Sequence, residues 1–68
     1  MQSPQVRLVN EIAVQFHHWA FDDAAEAIAA HIRTFWDPRM RSELLRRVET
    51  EPGELDPLAL AAARLLDR

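Results

Sequence analysis

Apolar residues recur along this chain in four segments, each with the spacing of one helix face. The first segment opens with Ser3 and Pro4, a pair that favours a helix start because proline suits the first helical position. We predict a first helix from about Pro4 to His18. Its inward residues, at positions i, i+3, i+4 and i+7, are Val9, Ile12, Ala13 and Phe16.

The second segment is rich in alanine, the strongest helix former. We predict a helix from about Asp23 to Trp36, in which Asp23 and Glu26 have the spacing of a capping box. Asp22 is an equally good cap, so the start is defined only to within a residue or two. The predicted inward stripe is Ala24, Ile28, His31, Ile32 and Phe35.

Two Asp-Pro steps, at residues 37–38 and 56–57, predict the starts of a third and a fourth helix. The proline ring pushes the aspartate out of the helical region, and the aspartate oxygen can accept the free amides that follow. The third helix is expected from Pro38 to about Thr50, and the fourth from Pro57 to close to Arg68. Their inward residues are Met40, Leu44, Leu45 and Val48 in the third helix and Leu58, Ala61, Ala62 and Leu65 in the fourth.

No segment alternates apolar and polar residues over the length of a strand, and the chain has a single glycine for tight turns. We therefore predict an all-α fold, a small single domain of four short helices that spans residues 1–68. Connections of a few residues make neighbouring helices pack against each other, either as an up-down bundle or with steeper crossings.

The size of the chain predicts a domain that is stabilised by a partner or by self-association. A chain of 68 residues buries only about 60% of the surface that its unfolded form exposes. It has no cysteine, so neither disulfides nor thiolate-held metals can stabilise it, which fits a reducing cytoplasm. No apolar run approaches the ~20 residues of a membrane span, and no signal-peptide pattern is present, so we expect a soluble, unprocessed, cytoplasmic protein.

The side chains that catalysis or cofactor binding needs are scarce. Only four hydroxyl side chains are present, and one of them, Ser3, is better explained as a helix cap. With Gly53 as the only glycine, no phosphate-binding loop can be proposed. His17 and His18 are adjacent and would point about 100° apart on a helix, which prevents chelation of one metal ion. We predict no catalytic residue, no cofactor site and no metal site.

The segment at residues 35–41, Phe-Trp-Asp-Pro-Arg-Met-Arg, is the strongest candidate for a binding site. Arg39 and Arg41 lie in the first turn of the third helix, where the positive end of the helix disfavours cations. One explanation is that these arginines bind a partner. The other is that Arg39 pairs with Asp37 or Glu43 within the chain.

Phe35 and Trp36 are adjacent, so they cannot both face one core from the same helix, and one of them is expected near the surface. An exposed Trp36 beside two arginines would have the composition of an interface centre, where Trp and Arg are enriched. The alternative is a Trp36 that packs over the junction of the second and third helices. His31 is either a core-edge histidine or an interface residue. The candidate partner-binding residues are Trp36, Asp37, Arg39, Met40, Arg41 and His31.

Four segments together resemble the delta subunit of NAD-dependent formate dehydrogenase: residues 10–13 with Phe16, residues 28–32, residues 35–41 and residues 53–58. The third of these is the most specific, and the chain departs from the family pattern at residues 17–19. The resemblance implies a small, non-catalytic bacterial subunit of a cytoplasmic complex that oxidises formate and reduces NAD. It also implies that molybdenum-pterin, iron-sulfur, FMN and NAD cofactors belong to the larger partner subunits and none to this chain.

From the resemblance we hypothesise that Trp36, Arg39 and Arg41 dock on an acidic or phosphate-bearing surface of the large catalytic subunit and stabilise the complex or help to assemble it. Arginine suits this role because its planar fork binds carboxylate or phosphate in bidentate fashion. A permanent subunit and a transient assembly factor both fit, as do a monomer and a homodimer for the isolated chain.

Two other classes of function remain as alternatives. One is a stand-alone helical protein-interaction adaptor that associates with itself. The other is a helix-turn-helix module for nucleic acid, built from the second and third helices. The formal net charge of −3 and the Trp-Asp-Pro sequence in the turn argue against the second alternative. We therefore expect a protein partner, no nucleic acid and no membrane.

Overall fold

The computed structural model describes residues 3–66, which form four α-helices and one short 3₁₀ helix. The helices are α1 (Pro4–Gln15), α2 (Phe21–Phe35), α3 (Pro38–Thr50) and α4 (Pro57–Leu66), and the 3₁₀ turn Pro52–Glu54 lies between α3 and α4. No strand occurs in this part of the chain, and the predicted all-α fold is confirmed. Each of the four α-helices falls short of the length and apolarity that a membrane-spanning helix needs.

Three of the α-helices begin at the predicted caps. Ser3, Asp37 and Asp56 each accept a hydrogen bond from a backbone N–H of the first turn, at 3.2, 2.8 and 2.8 Å respectively. These side chains satisfy amides that have no partner within the helix. In all three places a proline follows the cap, as the sequence pattern predicted.

The predicted capping residues of α2 are wrong, although the helix starts within two residues of the predicted position. The helix begins at Phe21, after Ala20, and no side chain caps it. Asp22 and Asp23 therefore lie inside the first turn, where their negative charges interact favourably with the positive end of the helix. The two aspartates therefore stabilise the start of α2 through this attraction and not through a capping box.

Two helix ends also differ from the prediction. α1 ends at Gln15, before the predicted His18, because the backbone then tightens and the Phe16 N–H donates to a carbonyl three residues back. α2 ends at Phe35, and the next residue, Trp36, already has an extended backbone. α3 has its predicted bounds.

The region after α3 contains an element that was not predicted. Pro52 cannot continue α3. It is the first residue of the 3₁₀ turn, so the chain stays regular here and does not form an irregular loop. α4 then begins at Pro57 as predicted. Its predicted end near Arg68 lies outside the described residues.

The core forms where α2 packs along α4, the most extensive helix contact of the described chain. Small side chains at such a contact let two helix backbones approach closely. The buried alanines of the two helices are Ala24, Ala25, Ala29, Ala59, Ala62 and Ala63. The largest fully buried side chains are Val6, Val9, Ile28, Ile32 and Leu44. All residues predicted to face inward from α1, α3 and α4 are buried or half-buried.

In α2 the predicted inward stripe is correct for the alanine and the two isoleucines and wrong for His31 and Phe35. His31 is exposed, and the Phe35 side chain is 72% exposed. Trp36 is buried in place of Phe35. The helix ends at Phe35, and the extended backbone of Trp36 lets its indole pack in the core while the Phe35 ring stays in solvent.

A set of hydrogen bonds joins α1 to the connection between the 3₁₀ turn and α4. The Asn10 side-chain amide donates to the Glu54 carbonyl at 2.9 Å, and its oxygen accepts the Asp56 N–H at 2.8 Å. His17 Nε2 lies 2.9 Å from Asp56 Oδ2. We call these four residues the α1–α4 clamp. It brings together two segments on which the family resemblance rests, residues 10–13 and 53–58.

Candidate protein-binding groove

Trp36 belongs to the core and not to the surface. Its side chain is 6% exposed and packs in the same apolar cluster as Ile32, Leu44 and Leu58. The hypothesis that Trp36 is exposed and touches a partner is therefore wrong, because its indole is enclosed at the junction of α2 and α3. The structure adopts the alternative in which Trp36 packs over this junction.

His31 and Phe35 form an aromatic pair on the outer side of α2. Their ring centroids are 4.8 Å apart and their planes are tilted by 40°. Both residues are exposed, so the interpretation of His31 as a core-edge histidine is wrong. Its role as an interface residue stays a prediction.

Asp37 and Arg41 hold the junction of α2 and α3 together. Asp37 caps α3 through the Met40 N–H, as described above. Arg41 Nη1 donates to the carbonyl oxygen of Arg33 at 3.3 Å. This carbonyl lies in the last turn of α2, where carbonyls lack partners within the helix and a cation is favourable. Arg41 therefore contributes to the fold at the place where the sequence predicted a partner contact.

Asp37, Arg39 and Met40 line a groove between the start of α1 and α3. The groove has a volume of about 610 Å³. Its remaining lining residues are Ser3, Pro4, Gln5, Glu43, Arg46 and Arg47. Three of the six candidate residues thus share one concave surface, which we call the α1–α3 groove.

The carboxylate of Glu43 is fully engaged within the groove. It accepts a hydrogen bond from Arg47 Nε at 2.7 Å and another from Arg46 Nη2 at 3.1 Å. These two bonds, first that of Arg47 and then that of Arg46, lower the pKa of Glu43 because they favour its charged form. Arg47 also donates to Glu51 at 3.1 Å, and its bonds to Glu43 and then Glu51 raise the pKa of its guanidinium.

Arg39 lines the groove and has no partner among residues 3–66. It is exposed and forms neither a hydrogen bond nor an ion pair with any of them. The alternative in which Arg39 pairs with Asp37 or Glu43 is therefore wrong, since Asp37 caps the helix and Glu43 binds the two later arginines. Because Arg47 also binds Glu51, the other arginines of the groove are engaged, and the free positive charge lies at Arg39.

Sequence reasoning missed two parts of this site. The pairing of Glu43 with Arg46 and Arg47 follows the i, i+3 and i, i+4 rule and was detectable from spacing alone. The contribution of residues 3–5 was not detectable, because it depends on how α1 packs against α3. In the described part of the chain, no group of three or more histidine, aspartate or glutamate side chains is placed to hold a metal ion. The expectation that this chain holds no cofactor stays a prediction.

Comparison with known proteins gives one match. The family model described as NADH-dependent formate dehydrogenase delta subunit FdsD matches residues 5–63. This range includes the complete α2 and α3, the 3₁₀ turn, and all lining residues of the groove except Ser3 and Pro4. Neither a curated protein nor a solved structure shows significant similarity to the chain.

Proposed function

Because the chain belongs to the family of NADH-dependent formate dehydrogenase delta subunits, we propose that it is a non-catalytic accessory subunit that binds a formate dehydrogenase complex and stabilises it or helps to assemble it. The observation that carries this proposal is the family match over residues 5–63. In this proposal the partner is the large catalytic subunit in the cytoplasm. The molybdenum-pterin, iron-sulfur, FMN and NAD cofactors are held by the partner subunits.

The α1–α3 groove is the docking site in this proposal, and an acidic surface of the large subunit is its occupant. Three features of the groove support this assignment. The Arg39 guanidinium has no partner within residues 3–66, the Glu43 carboxylate is already engaged, and Pro4 and Met40 add apolar surface. An unpaired arginine at a helix start is electrostatically unfavourable in the free chain, and a carboxylate of the partner would remove that penalty.

Trp36 and Arg41 do not line the α1–α3 groove but support the helices that form it. The buried indole and the bond from Arg41 to the end of α2 hold the two helices in place, and the Asp37 cap fixes the first turn of α3. Arg39 is therefore presented from a rigid turn, which reduces the entropy lost when it binds.

The test uses the formate dehydrogenase complex expressed without this chain and then mixed with purified chain. We expect Arg39→Glu to weaken binding about tenfold or more, because it replaces an attraction with a repulsion. Arg64→Glu is the matched control, since Arg64 is also exposed and the change in net charge is the same. Arg39 is preferred to Arg41 because a change at Arg41 would also disturb the fold.

Two results would count against the proposal. If the unmodified chain neither binds the complex nor changes its formate-dependent NAD reduction or its stability, the accessory role is wrong. If Arg39→Glu and Arg64→Glu bind equally well, the accessory role stands but the groove is not its docking site. Retention of the chain in active complex purified from the native host would further distinguish a permanent subunit from a transient assembly factor.

A further inference from the structure

The turn between α1 and α2 exposes two large aromatic side chains that the groove does not involve. Trp19 is 47% exposed and Phe21 is 52% exposed. They lie two residues apart, Trp19 in the turn and Phe21 as the first residue of α2. We call Trp19 and Phe21 the aromatic patch. Exposed aromatic clusters on a small soluble domain are typical of interaction surfaces.

Trp19 is held in place although half of it faces solvent. Its ring packs edge-on against Phe16, with centroids 4.9 Å apart and an interplanar angle of 66°. Its backbone N–H donates to the Phe16 carbonyl at 3.0 Å, and Phe16 itself packs against the core. A tryptophan that is already ordered loses little conformational entropy on binding, and tryptophan is enriched among the residues that dominate binding energy.

Acidic side chains border the patch. Asp22 and Asp23 follow Phe21 directly, and Glu26 lies about one turn further along α2. All three are exposed, and within residues 3–66 they form no ion pair. The nearby histidine of the clamp, His17, is turned to Asp56. The free charge beside the patch is therefore negative, in contrast to the free positive charge of Arg39 in the α1–α3 groove.

The patch and the groove lie at opposite ends of α1 and α2. α1 has 12 residues and therefore extends about 18 Å, from the groove residues at its start to the turn that carries Trp19. α2 has 15 residues and extends about 21 Å from Phe21 to Phe35, beside the start of α3. Since the longest dimension of the molecule is 27 Å, these distances separate the two surfaces across most of the domain.

We propose that the aromatic patch is a second docking surface, which inserts Trp19 and Phe21 into an apolar cleft rimmed by lysine or arginine on the formate dehydrogenase complex. The proposed function supplies the identity of this partner, and the patch is separate from the groove. A second copy of the chain is a poor occupant. A symmetric dimer through the patch would bring Asp22, Asp23 and Glu26 near the same residues of the other copy, which is repulsive.

The test measures the affinity of full-length variants for the complex expressed without this chain. We expect Trp19→Ala combined with Phe21→Ala to weaken binding about tenfold or more. Val14→Ala is the matched control, because Val14 is an apolar side chain of similar exposure, at 60%, that belongs to neither surface, and we expect this variant to bind within about twofold of the unmodified chain. Phe21→Ala alone, which leaves the Phe16–Trp19 packing in place, gives a smaller loss in the same direction and rules out misfolding as the cause.

A charge variant tests the chemistry of the cleft. Asp22→Asn combined with Asp23→Asn should slow association at low salt and reduce its dependence on salt, since a basic rim attracts the acidic border of the patch. Equal affinities of the Trp19/Phe21 variant and the Val14 control would overturn the proposal. So would sedimentation showing a dimer that the Trp19/Phe21 variant dissociates, because the occupant would then be a second copy.

The outcomes separate this proposal from the proposed function. If Arg39→Glu weakens binding and the Trp19/Phe21 variant does not, the accessory role stands and the second surface is wrong. If the unmodified chain does not bind the complex at all, both proposals are wrong.

Discussion

The two Asp-Pro junctions of the chain have the same local design and different surroundings. In each, a buried apolar residue precedes the capping aspartate: Trp36 before Asp37 and Leu55 before Asp56. In each, the aspartate accepts a backbone N–H at 2.8 Å and a proline occupies the first helical position. These features arise from neighbouring residues alone, which is why both helix starts were predictable.

The surroundings differ because, among residues 3–66, polar contacts from a distant segment reach the second junction, whereas the Arg41–Arg33 bond at the first joins only the two helices that flank it. Asn10 bonds the backbone on both sides of Leu55, and His17 contacts the Asp56 carboxylate. At the first junction, the Asp37 carboxylate bonds only its own helix within residues 3–66, and the following Arg39 has no partner there. In both places the capping aspartate and the proline that follows it determine where the helix starts. Contacts from distant residues hold the second junction in place, while the first exposes Arg39, which the proposed function assigns to a partner.

The largest expected effect concerns the buried residue of the first junction. Trp36→Ala should lower the free energy of unfolding by about 3–5 kcal/mol, because it removes a large side chain from the core and leaves a cavity. Phe35→Ala is the matched control and should cost about 0.5 kcal/mol or less, since its ring is exposed. Urea unfolding followed by circular dichroism measures both. Equal losses would mean that the indole does not support the junction.

A smaller effect is expected from opening the second junction. Asn10→Ala removes the partner of the Glu54 carbonyl and of the Asp56 N–H, and should cost about 1–3 kcal/mol. Gln15→Ala, which removes an exposed amide from the same helix, should change stability by about 0.5 kcal/mol or less. The exchange rate of the Asp56 amide hydrogen should rise in the Asn10 variant only. Unchanged exchange would show that the α1–α4 clamp does not hold this junction.

The smallest effect is a pH dependence beside the first junction. The folded-state pKa of Glu43 is lowered by Arg47 and Arg46, so its stabilising contribution is complete at pH values above the ordinary pKa that this carboxyl has in the unfolded chain. This contribution is lost as the pH falls below that value and through the folded pKa. Stability measured between about pH 6 and pH 3 should therefore fall less in Glu43→Gln than in the unmodified chain. Glu49→Gln is the control, since Glu49 forms no ion pair within residues 3–66. A Glu43→Gln profile parallel to that of the unmodified chain would contradict the expectation.

Local patterns predicted most of the fold. The bounds of α3 followed from a cap, a proline and an apolar stripe, and the same signals placed the start of α4. The start of α2 could not be found in this way, because Ala20 provides no cap and the aspartates act inside the first turn. The α1–α4 clamp joins residues that lie 39 to 46 positions apart, a relation that no local pattern contains.

The binding role of residues 35–41 stays a prediction, and the structure adds where these residues lie. Three of them line the α1–α3 groove. Which of Phe35 and Trp36 is buried depends on where α2 ends, and helix ends are decided by the packing of the next element. Arg41 binds within the fold and Arg39 does not, because the Arg33 carbonyl lies within reach of the Arg41 guanidinium. The distance between these two groups depends on how α2 and α3 pack, so the sequence alone does not define it.

The alanine contact between α2 and α4 also has a consequence for how sequences in this family can diverge. A larger side chain at Ala29 or Ala62 would force two closely packed helices apart. The alternative, a smaller residue, can only be glycine, since alanine has a single methyl group as its side chain. Substitutions accepted over evolution should therefore be rare along this contact and frequent on the outer faces of the domain. Both proposed docking surfaces lie on those outer faces, so adaptation to a changing partner can proceed there while the interior stays the same.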